Sequence, residues 1–215
     1  MSKQEYSKFL EDRAEKNFEK QSKYFDFDST LFAEFRPLIY QINNSLILES
    51  NVPALTATNY LVERLLKIAL IYNEVKIESV ELEKLNSLYD LPNKKYIKLN
   101  FEKSIEKCTN LGLINDSERH FLDTKIRPLI RNSYSHGDPT KITNTLPKQT
   151  KAYVGSFSEP GKIDEIDFEK HFIPTFQTQI FNEFAEQNSK TYFDFAYHLI
   201  LNIESRINYF QKDKK

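Results

Sequence analysis

Residues 53–70 read PALTATNYLVERLLKIAL, and this stretch decides the fold. Pro53 suits the first turn of a helix, with Ser50 or Asn51 as its cap. Apolar residues then recur at helical spacing and form one stripe: Leu55, Val62, Leu65, Leu66, Ala69 and Leu70. Glu63 and Lys67 are four residues apart and fall on the solvent-facing side. The stretch therefore predicts a core helix.

Helical patterns continue on both sides of this segment. The periodicity predicts helices over about 3–25, 29–48, 74–90, 101–111, 117–134, 168–187 and 190–211. Pro37 marks either a start or a kink. The pattern over 74–90 predicts one charged helix or two shorter ones, which end before Leu91-Pro92. Gly112 is expected to close the helix before it in a left-handed conformation.

The helical pattern breaks from Gly137 to about Asp167, where several prolines and glycines occur. A small β-hairpin around Glu159-Pro160-Gly161 or a long ordered loop is predicted there. The chain is thus predicted to be one all-α domain over 1–215. Its parts are a core bundle (50–137 and 168–211), an N-terminal helical arm (1–49) and a loop or hairpin insertion (about 138–167).

Composition limits the class of protein. Of the 215 residues, 40% are hydrophobic and 28% are charged, which is typical of a water-soluble globular chain and not of wholesale disorder. The single cysteine, Cys108, excludes an internal disulfide and a multi-cysteine zinc framework, and it is expected to be a small core residue. Because the N-terminus is charged and no long apolar run occurs, we expect a cytoplasmic protein without membrane contact.

The nearly neutral total charge of −1 hides a basic middle and an acidic flank. Residues 94–151 contain 12 Lys and Arg against 6 Asp and Glu, whereas residues 159–194 contain 3 against 8. These regions either pair within the fold or form a basic groove for a polyanion such as RNA.

The richest local sequence, residues 125–138, reads KIRPLIRNSYSHGD. Arg127 and Arg131 are four residues apart and are expected to share a helical face, away from the apolar stripe. The planar fork of arginine suits phosphate oxygens. Alternatively, Arg131 pairs with a carboxylate of the fold, and Arg127 forms an ion pair with a residue one turn away.

His136 follows Arg131 by five residues, which is a rotation of about 140° in a continuous α-helix. Gly137 and Pro139 predict that the helix ends at His136. The negative end of the helix dipole favours protonated histidine, so this imidazole could exchange protons with a ribose hydroxyl or a leaving oxygen. Alternatively, His136 only caps the helix.

The pattern Arg131-Asn132-x-x-x-His136 at a helix end resembles the HEPN superfamily (higher eukaryotes and prokaryotes nucleotide-binding domains). The passages 61–67, 107–114 and 126–137 follow the order that such domains show, and the resemblance covers about 50–137 and 168–211. It implies a four-to-five-helix bundle, usually a homodimer, in which the two motifs meet as one composite site.

The resemblance also implies a metal-independent endoribonuclease that needs no cofactor. The ribose 2′-oxygen would attack the adjacent phosphate and leave a 2′,3′-cyclic phosphate and a 5′-hydroxyl. Arg131 would clamp the phosphate, His136 would act as general base or acid, and Asn132 would orient one of them or hold the RNA backbone. Asp138 stands where toxins silenced by nucleotidylation carry tyrosine, so that form of control is not expected.

Many members of the superfamily are toxins or antiviral defence effectors. The resemblance therefore implies RNA as substrate, with an antitoxin or a defence complex as a possible protein partner. Some HEPN-like proteins are non-catalytic modules, so binding of RNA, a nucleotide or a partner protein is the alternative function.

Basic and stackable side chains follow the motif. Lys141, Lys148 and Lys151, with Tyr153 and Phe157, could hold single-stranded RNA, or they belong to an ordinary solvated loop. Tyr134 either stacks on a base or lies in the core. His120, His171 and His198 show no metal-ligand spacing, and no metal site is predicted. ATPase, serine hydrolase and zincin motifs do not occur in the sequence.

Overall fold

A computed structural model describes residues 1–75, 82–134, 142, 149–156, 159–169 and 174–212. Its α-helices are α1 (Lys3–Gln21), α2 (Arg36–Ile47), α3 (Asn51–Val75), α4 (Leu82–Tyr96), α5 (Phe101–Asn110), α6 (Asp116–Phe121) and α7 (Pro174–Lys212). Short 3-10 segments cover Ser22–Asp26 and Ala33–Phe35. A helix of the π type, Leu122–Tyr134, continues directly from α6 and is called the π-helix below. The helical body of the chain is all-α, as predicted.

Helix α3 forms the centre of the bundle. It packs most extensively against α7 and also contacts α2, α4, α5 and the π-helix. Its buried residues are Ala54, Leu55, Thr58, Asn59, Leu61, Val62, Leu65, Leu66, Ala69, Leu70, Ile71 and Val75. The predicted core helix is confirmed, and its buried face is wider than one stripe because neighbours cover it from several directions.

The N-terminal residues pack into the same core. Aromatic side chains of residues 24–35 belong to the central cluster: Tyr24, Phe27, Phe32 and Phe35. Asn17 of α1 donates a hydrogen bond to the carbonyl of Ile47, at 3.0 Å. The hydroxyl of Tyr24 donates to Asp194 of α7. The segment predicted as an arm is therefore folded on itself and packed against α7.

Three local predictions are confirmed. Pro37 lies in the first turn of α2, so it marks a start and not a kink. Gly112 adopts φ = +69° after α5, and the Phe210 ring lies 3.3 Å from the position that a Cβ would occupy there. Cys108 is a free, buried cysteine, and burial raises the pKa of its thiol.

The prediction that α4 ends before Leu91-Pro92 is wrong, because the helix continues through Pro92 to Tyr96. Proline costs a helical hydrogen bond at this point. Tertiary contacts oppose that cost, because the hydroxyl of Tyr96 and the ammonium of Lys95 both bond to Glu74 of α3. Packing against the central helix therefore extends α4 beyond its local stop signal.

The C-terminal region is one helix, α7, instead of the two predicted helices over 168–187 and 190–211. The polar residues at the predicted break are accommodated inside the helix. Asn188 donates to the carbonyl of Phe184 at 2.8 Å, and Ser189 donates to the side chain of Asn51 at 2.9 Å. Ser189 is fully buried against α3. Because the side chains of Asn188 and Ser189 both have hydrogen-bond partners, they do not interrupt α7.

Strands β1 (Gln149–Ser156) and β2 (Glu159–Glu169) pair antiparallel. The pairing runs from Gln149 opposite Glu169 to Ser156 opposite Glu159, with a register shift beside Gly155. The two strands come between the π-helix and α7 in sequence, which is the region of the predicted insertion (about 138–167).

Within the described part of the chain, no helix combines the length and the apolar character that crossing a membrane requires.

Helix α6 is fixed to α7 through one carboxylate. Asn115 and Glu118 form a capping box at the start of α6. The same carboxylate of Glu118 accepts two hydrogen bonds from Arg206 of α7, at 2.6 and 3.1 Å. Arg206 also donates to the carbonyl of Leu113 at 2.8 Å. Because the side chain of Glu118 is only 8% exposed, solvent screens this pair weakly.

We expect Glu118→Ala to lower the free energy of unfolding by about 3 kcal/mol, because it removes a helix cap and leaves Arg206 without its carboxylate. Urea denaturation measures the loss. The matched control is Glu102→Ala, whose carboxylate is 66% exposed in its ion pair with Arg127 and whose loss should stay below about 1 kcal/mol. Equal losses in the two variants would contradict the assignment.

Candidate functional site

The π-helix carries Arg131 and Asn132 of the motif and has a wider winding than the predicted α-helix over 117–134. In a π-helix each N–H bonds to the carbonyl five residues earlier instead of four. Pro128 lies inside it and has no N–H to donate, and proline is a common cause of such local changes in winding. Its buried side chains, Leu122, Ile126 and Ile130, recur at intervals of four. The prediction of α geometry is therefore correct only to Phe121.

This winding changes which side chains share a face. Residues five apart come onto one side of the helix in addition to residues four apart, so that Lys125 and Ile130 share a face. Arg127 and Arg131 are four residues apart, which is also the spacing of the buried Leu122, Ile126 and Ile130. Their ion-pair partners lie on different helices, Glu102 of α5 and Glu63 of α3. Each guanidinium group is therefore engaged by a different carboxylate of the fold.

Arg131 is oriented by the central helix. Its Nε donates to Oε1 of Glu63 at 3.2 Å, and the side chains are 34% and 27% exposed. The sequence places Glu63 on the solvent-facing side beside Lys67, whereas in the fold it lies at the junction of α3 and the π-helix. The expected alternative, in which Arg131 pairs with a carboxylate of the fold, is observed. A guanidinium that is held in place and partly exposed can still meet an anion.

Arg127 lies in a network of opposite charges. Its Nη1 is 2.6 Å from Oε1 of Glu102, and its Nε is 3.8 Å from Oδ1 of Asp123, four residues earlier. Arg119 also pairs with Asp123, at 3.4 Å. These carboxylates favour the alternative in which Arg127 forms ion pairs within the fold, and its contact with RNA stays a prediction.

A cavity of about 210 Å³ lies between the π-helix and α7. Its walls are mainly apolar and aromatic, and they include Phe121, Ile126, Leu129, Ile130, Phe184 and Tyr192. Lys125, Asn188 and Thr191 supply polar atoms to the lining. Ile130 directly precedes Arg131, so the cavity adjoins the motif.

Tyr192 is the unusual member of this lining. Its side chain is 1% exposed, and its hydroxyl has no hydrogen-bond partner among the described residues. An unpaired buried hydroxyl costs about 1–3 kcal/mol. Burial raises the pKa of Tyr192 well above its ordinary value, and the negative charge of Glu63 adds to the shift. The hydroxyl therefore keeps its proton.

Glu63 lies between Arg131 of the motif and Tyr192 of the cavity wall. It bonds to Arg131 of the π-helix, and its charge acts on Tyr192 of α7. Neither Glu63 nor Tyr192 stands out in the sequence as a site residue. The available signal was a tyrosine within a stripe of buried α7 positions that otherwise carry apolar or small side chains, among them Ala185, Ser189, Phe193 and Ala196.

The remaining predicted site residues have side chains that the structure does not describe. His136, Lys141 and Lys148 lie outside the described residues. Asn132 and Tyr134 belong to the π-helix, and Lys151 belongs to β1, but their side chains lie outside the described part of the structure. Among the side chains that are described, no group of three or more His, Cys, Asp and Glu residues could hold a metal ion.

We expect Glu63→Gln and Arg131→Gln to show a coupling free energy of about 0.5–1 kcal/mol in a double-mutant cycle, because the pair is only partly exposed. Urea denaturation of the four proteins measures it. The coupling should fall in about 1 M NaCl, since salt screens partly exposed charges. A coupling of zero at low salt would mean that Glu63 does not orient Arg131.

Comparisons with known proteins find no family model, no curated protein and no solved structure that matches this chain.

Proposed function

We propose that this chain is a metal-independent endoribonuclease of the HEPN type that acts as a homodimer. The observation that supports it best is the state of Arg131, a partly exposed guanidinium held by Glu63. It lies near the end of the π-helix, five residues before His136. A fixed cation can stabilise the charge on the phosphate, and an imidazole can transfer protons, which are two contributions that phosphodiester cleavage without a metal uses.

The proposed reaction is an internal transesterification. A general base removes the proton of the ribose 2′-hydroxyl, and the oxygen attacks the adjacent phosphorus. The bond from phosphorus to the 5′-oxygen breaks, and a general acid protonates that oxygen, which leaves a 2′,3′-cyclic phosphate and a 5′-hydroxyl. Arg131 stabilises the charge that develops on the phosphate oxygens. His136 and the same residue of a second copy serve as base and acid, with Asn132 orienting them.

The proposed setting is the cytoplasm, where the enzyme acts as a toxin or an antiviral defence effector and is controlled by an antitoxin or a larger complex. The excess of Lys and Arg over residues 94–151 supports a polyanionic substrate. Lys141, Lys148, Lys151, Arg127 and Tyr134 are the proposed contacts to RNA.

The second candidate is a non-catalytic HEPN-like module that binds RNA, a nucleotide or a partner protein. Two ion pairs favour it, because Arg131 and Arg127 both engage carboxylates of the fold, Glu63 and Glu102. Arginines with structural partners do not need a catalytic role.

We expect the purified protein to cleave single-stranded RNA in the presence of EDTA, and Arg131→Ala and His136→Ala to lose at least about 100-fold of the rate, because each removes a group that acts in the transition state. Gel analysis of the products, with mapping of cyclic phosphate ends, measures the reaction. Arg64→Ala and His120→Ala are the matched controls, since both side chains are exposed and lie outside the proposed site.

Retained cleavage in Arg131→Ala or His136→Ala would refute the assigned roles, provided that circular dichroism shows folded variants. Cleavage that disappears in EDTA and returns with a divalent cation would refute the metal-independent mechanism. RNA binding without cleavage by any of the proteins would support the second candidate.

A further inference from the structure

The side of α1 that packs on the fold continues beyond the end of α2. Asn17 is buried on this side and donates to the carbonyl of Ile47, the last residue of α2, at 3.0 Å. In an α-helix, Tyr6 and Leu10 lie within about 20° of Asn17 around the axis, and Phe9 lies within about 80° of it. The stripe that faces the fold in the second half of α1 therefore carries apolar side chains in the first half.

The two aromatic side chains of this stripe are exposed. In the range 3–12 every residue except Leu10 is exposed, and the exposed fractions of Tyr6 and Phe9 are 47% and 41%. The two rings stack on each other, with centroids 6.3 Å apart and an angle of 18° between their planes. The guanidinium of Arg13 lies 3.6 Å from the centre of the Phe9 ring. Aromatic side chains and arginine are the residues that most often dominate the binding energy of a protein interface.

Charge lies at the two ends of this surface. Lys3 is exposed in its first turn, and Glu11 and Asp12 are exposed in its last turn. Glu5 is already engaged, because it closes the capping box at the start of α1. Lys8 lies about 160° from Tyr6, on the outer side of the helix. The surface is thus positive at one end and negative at the other.

Such a surface is complementary to itself. In an antiparallel pair of α1 helices related by a two-fold axis, a contact between two different residues occurs twice. When Tyr6 of one copy lies opposite Phe9 of the other, Lys3 of each copy comes within one turn of Glu11 and Asp12 of the other. The aromatic rings then lose contact with water, and opposite charges meet at both ends. An RNA strand would instead meet the carboxylates, so the charges favour a second copy of this chain.

We propose that residues 3–12 of α1 pair antiparallel with the same residues of a second copy of this chain, through the stacked rings of Tyr6 and Phe9. The inference deepens the proposed function and rests on its homodimer, because it names a surface that holds the two copies together. The following turns of α1 stay on their own chain, where Arg13 is paired with Glu49 at 3.2 Å.

The first test measures the dissociation constant of the dimer by sedimentation equilibrium of the full chain. We expect Tyr6→Ser combined with Phe9→Ser to raise this constant at least about ten-fold, because the interface loses two aromatic side chains. Phe18→Ser is the matched control, since Phe18 is 53% exposed on the same helix but lies about 120° from Tyr6 around the axis. The control should keep the wild-type constant, and circular dichroism should show that all variants are folded.

A wild-type chain that stays monomeric at about 0.1 mM would overturn the inference. An unchanged dissociation constant in the variant with Tyr6→Ser and Phe9→Ser would also overturn it.

A charge exchange tests the antiparallel orientation. Lys3→Glu alone should raise the dissociation constant about three- to ten-fold at low salt, because it places like charges together at both ends of the pair. Adding Glu11→Lys and Asp12→Lys should restore the dimer, since positive and negative ends meet again in exchanged positions. A triple variant that dimerises no better than Lys3→Glu would overturn the antiparallel pairing.

RNA cleavage by the same proteins separates this inference from the proposed function. A dimer that is insensitive to Tyr6→Ser and Phe9→Ser, in a protein whose cleavage depends on Arg131, would refute the α1 surface and leave the nuclease standing. A dimer that depends on this surface, in a protein that cleaves no RNA, would support the inference and refute the nuclease.

Discussion

The burial of α3 by neighbours from several directions is the constraint on which the rest of the structure depends. Each Leu, Ile or Val that it buries stabilises the fold by about 1.5–3 kcal/mol, whereas a single backbone hydrogen bond contributes about 1 kcal/mol. The neighbours of α3 therefore keep their contacts with it even where the local sequence favours a helix end or a different helix geometry. Helix α4 continues through Pro92, and the π-helix gives up α geometry, but both remain packed on α3.

The same constraint explains the polar groups around the core. Glu63 and Glu74 lie on α3 where its buried surface meets a neighbouring helix, and each accepts hydrogen bonds from that neighbour. A carboxylate at such a junction needs partners, because partial burial removes part of its hydration. Glu63 meets this need with Arg131, and in doing so it brings a cation of the motif to a defined position beside the cavity.

Much of the helical fold could be predicted from the sequence, because local signals and tertiary packing agree in α3, at Pro37 and at Gly112. The errors occur where they disagree. Asn188 and Ser189 read as a break, but a bond to Phe184 and a bond to Asn51 accommodate them inside α7. Pro128 lies within a strongly periodic apolar stretch, and periodicity of about four does not distinguish α from π winding.

The candidate site could be predicted only in part, for a similar reason. Arg131 stands out in the sequence because arginine and histidine at a fixed spacing suggest phosphate chemistry. Tyr192 does not stand out, because its unusual feature is a buried hydroxyl without a hydrogen-bond partner among the described residues. That feature depends on contacts between distant residues, which a sequence pattern does not contain. Glu63 reads as a solvent-facing charge, since its partner lies 68 residues away.

The position of α7 along the chain has a consequence for synthesis. This helix of 39 residues covers α3 and supplies one wall of the cavity, yet the ribosome makes it after every other described element. At about 5–20 residues per second, its synthesis takes on the order of 2–8 s. During that interval the nascent chain exposes the apolar surface of α3, to which a chaperone would bind. The cavity can form only when Tyr192 has emerged from the exit tunnel.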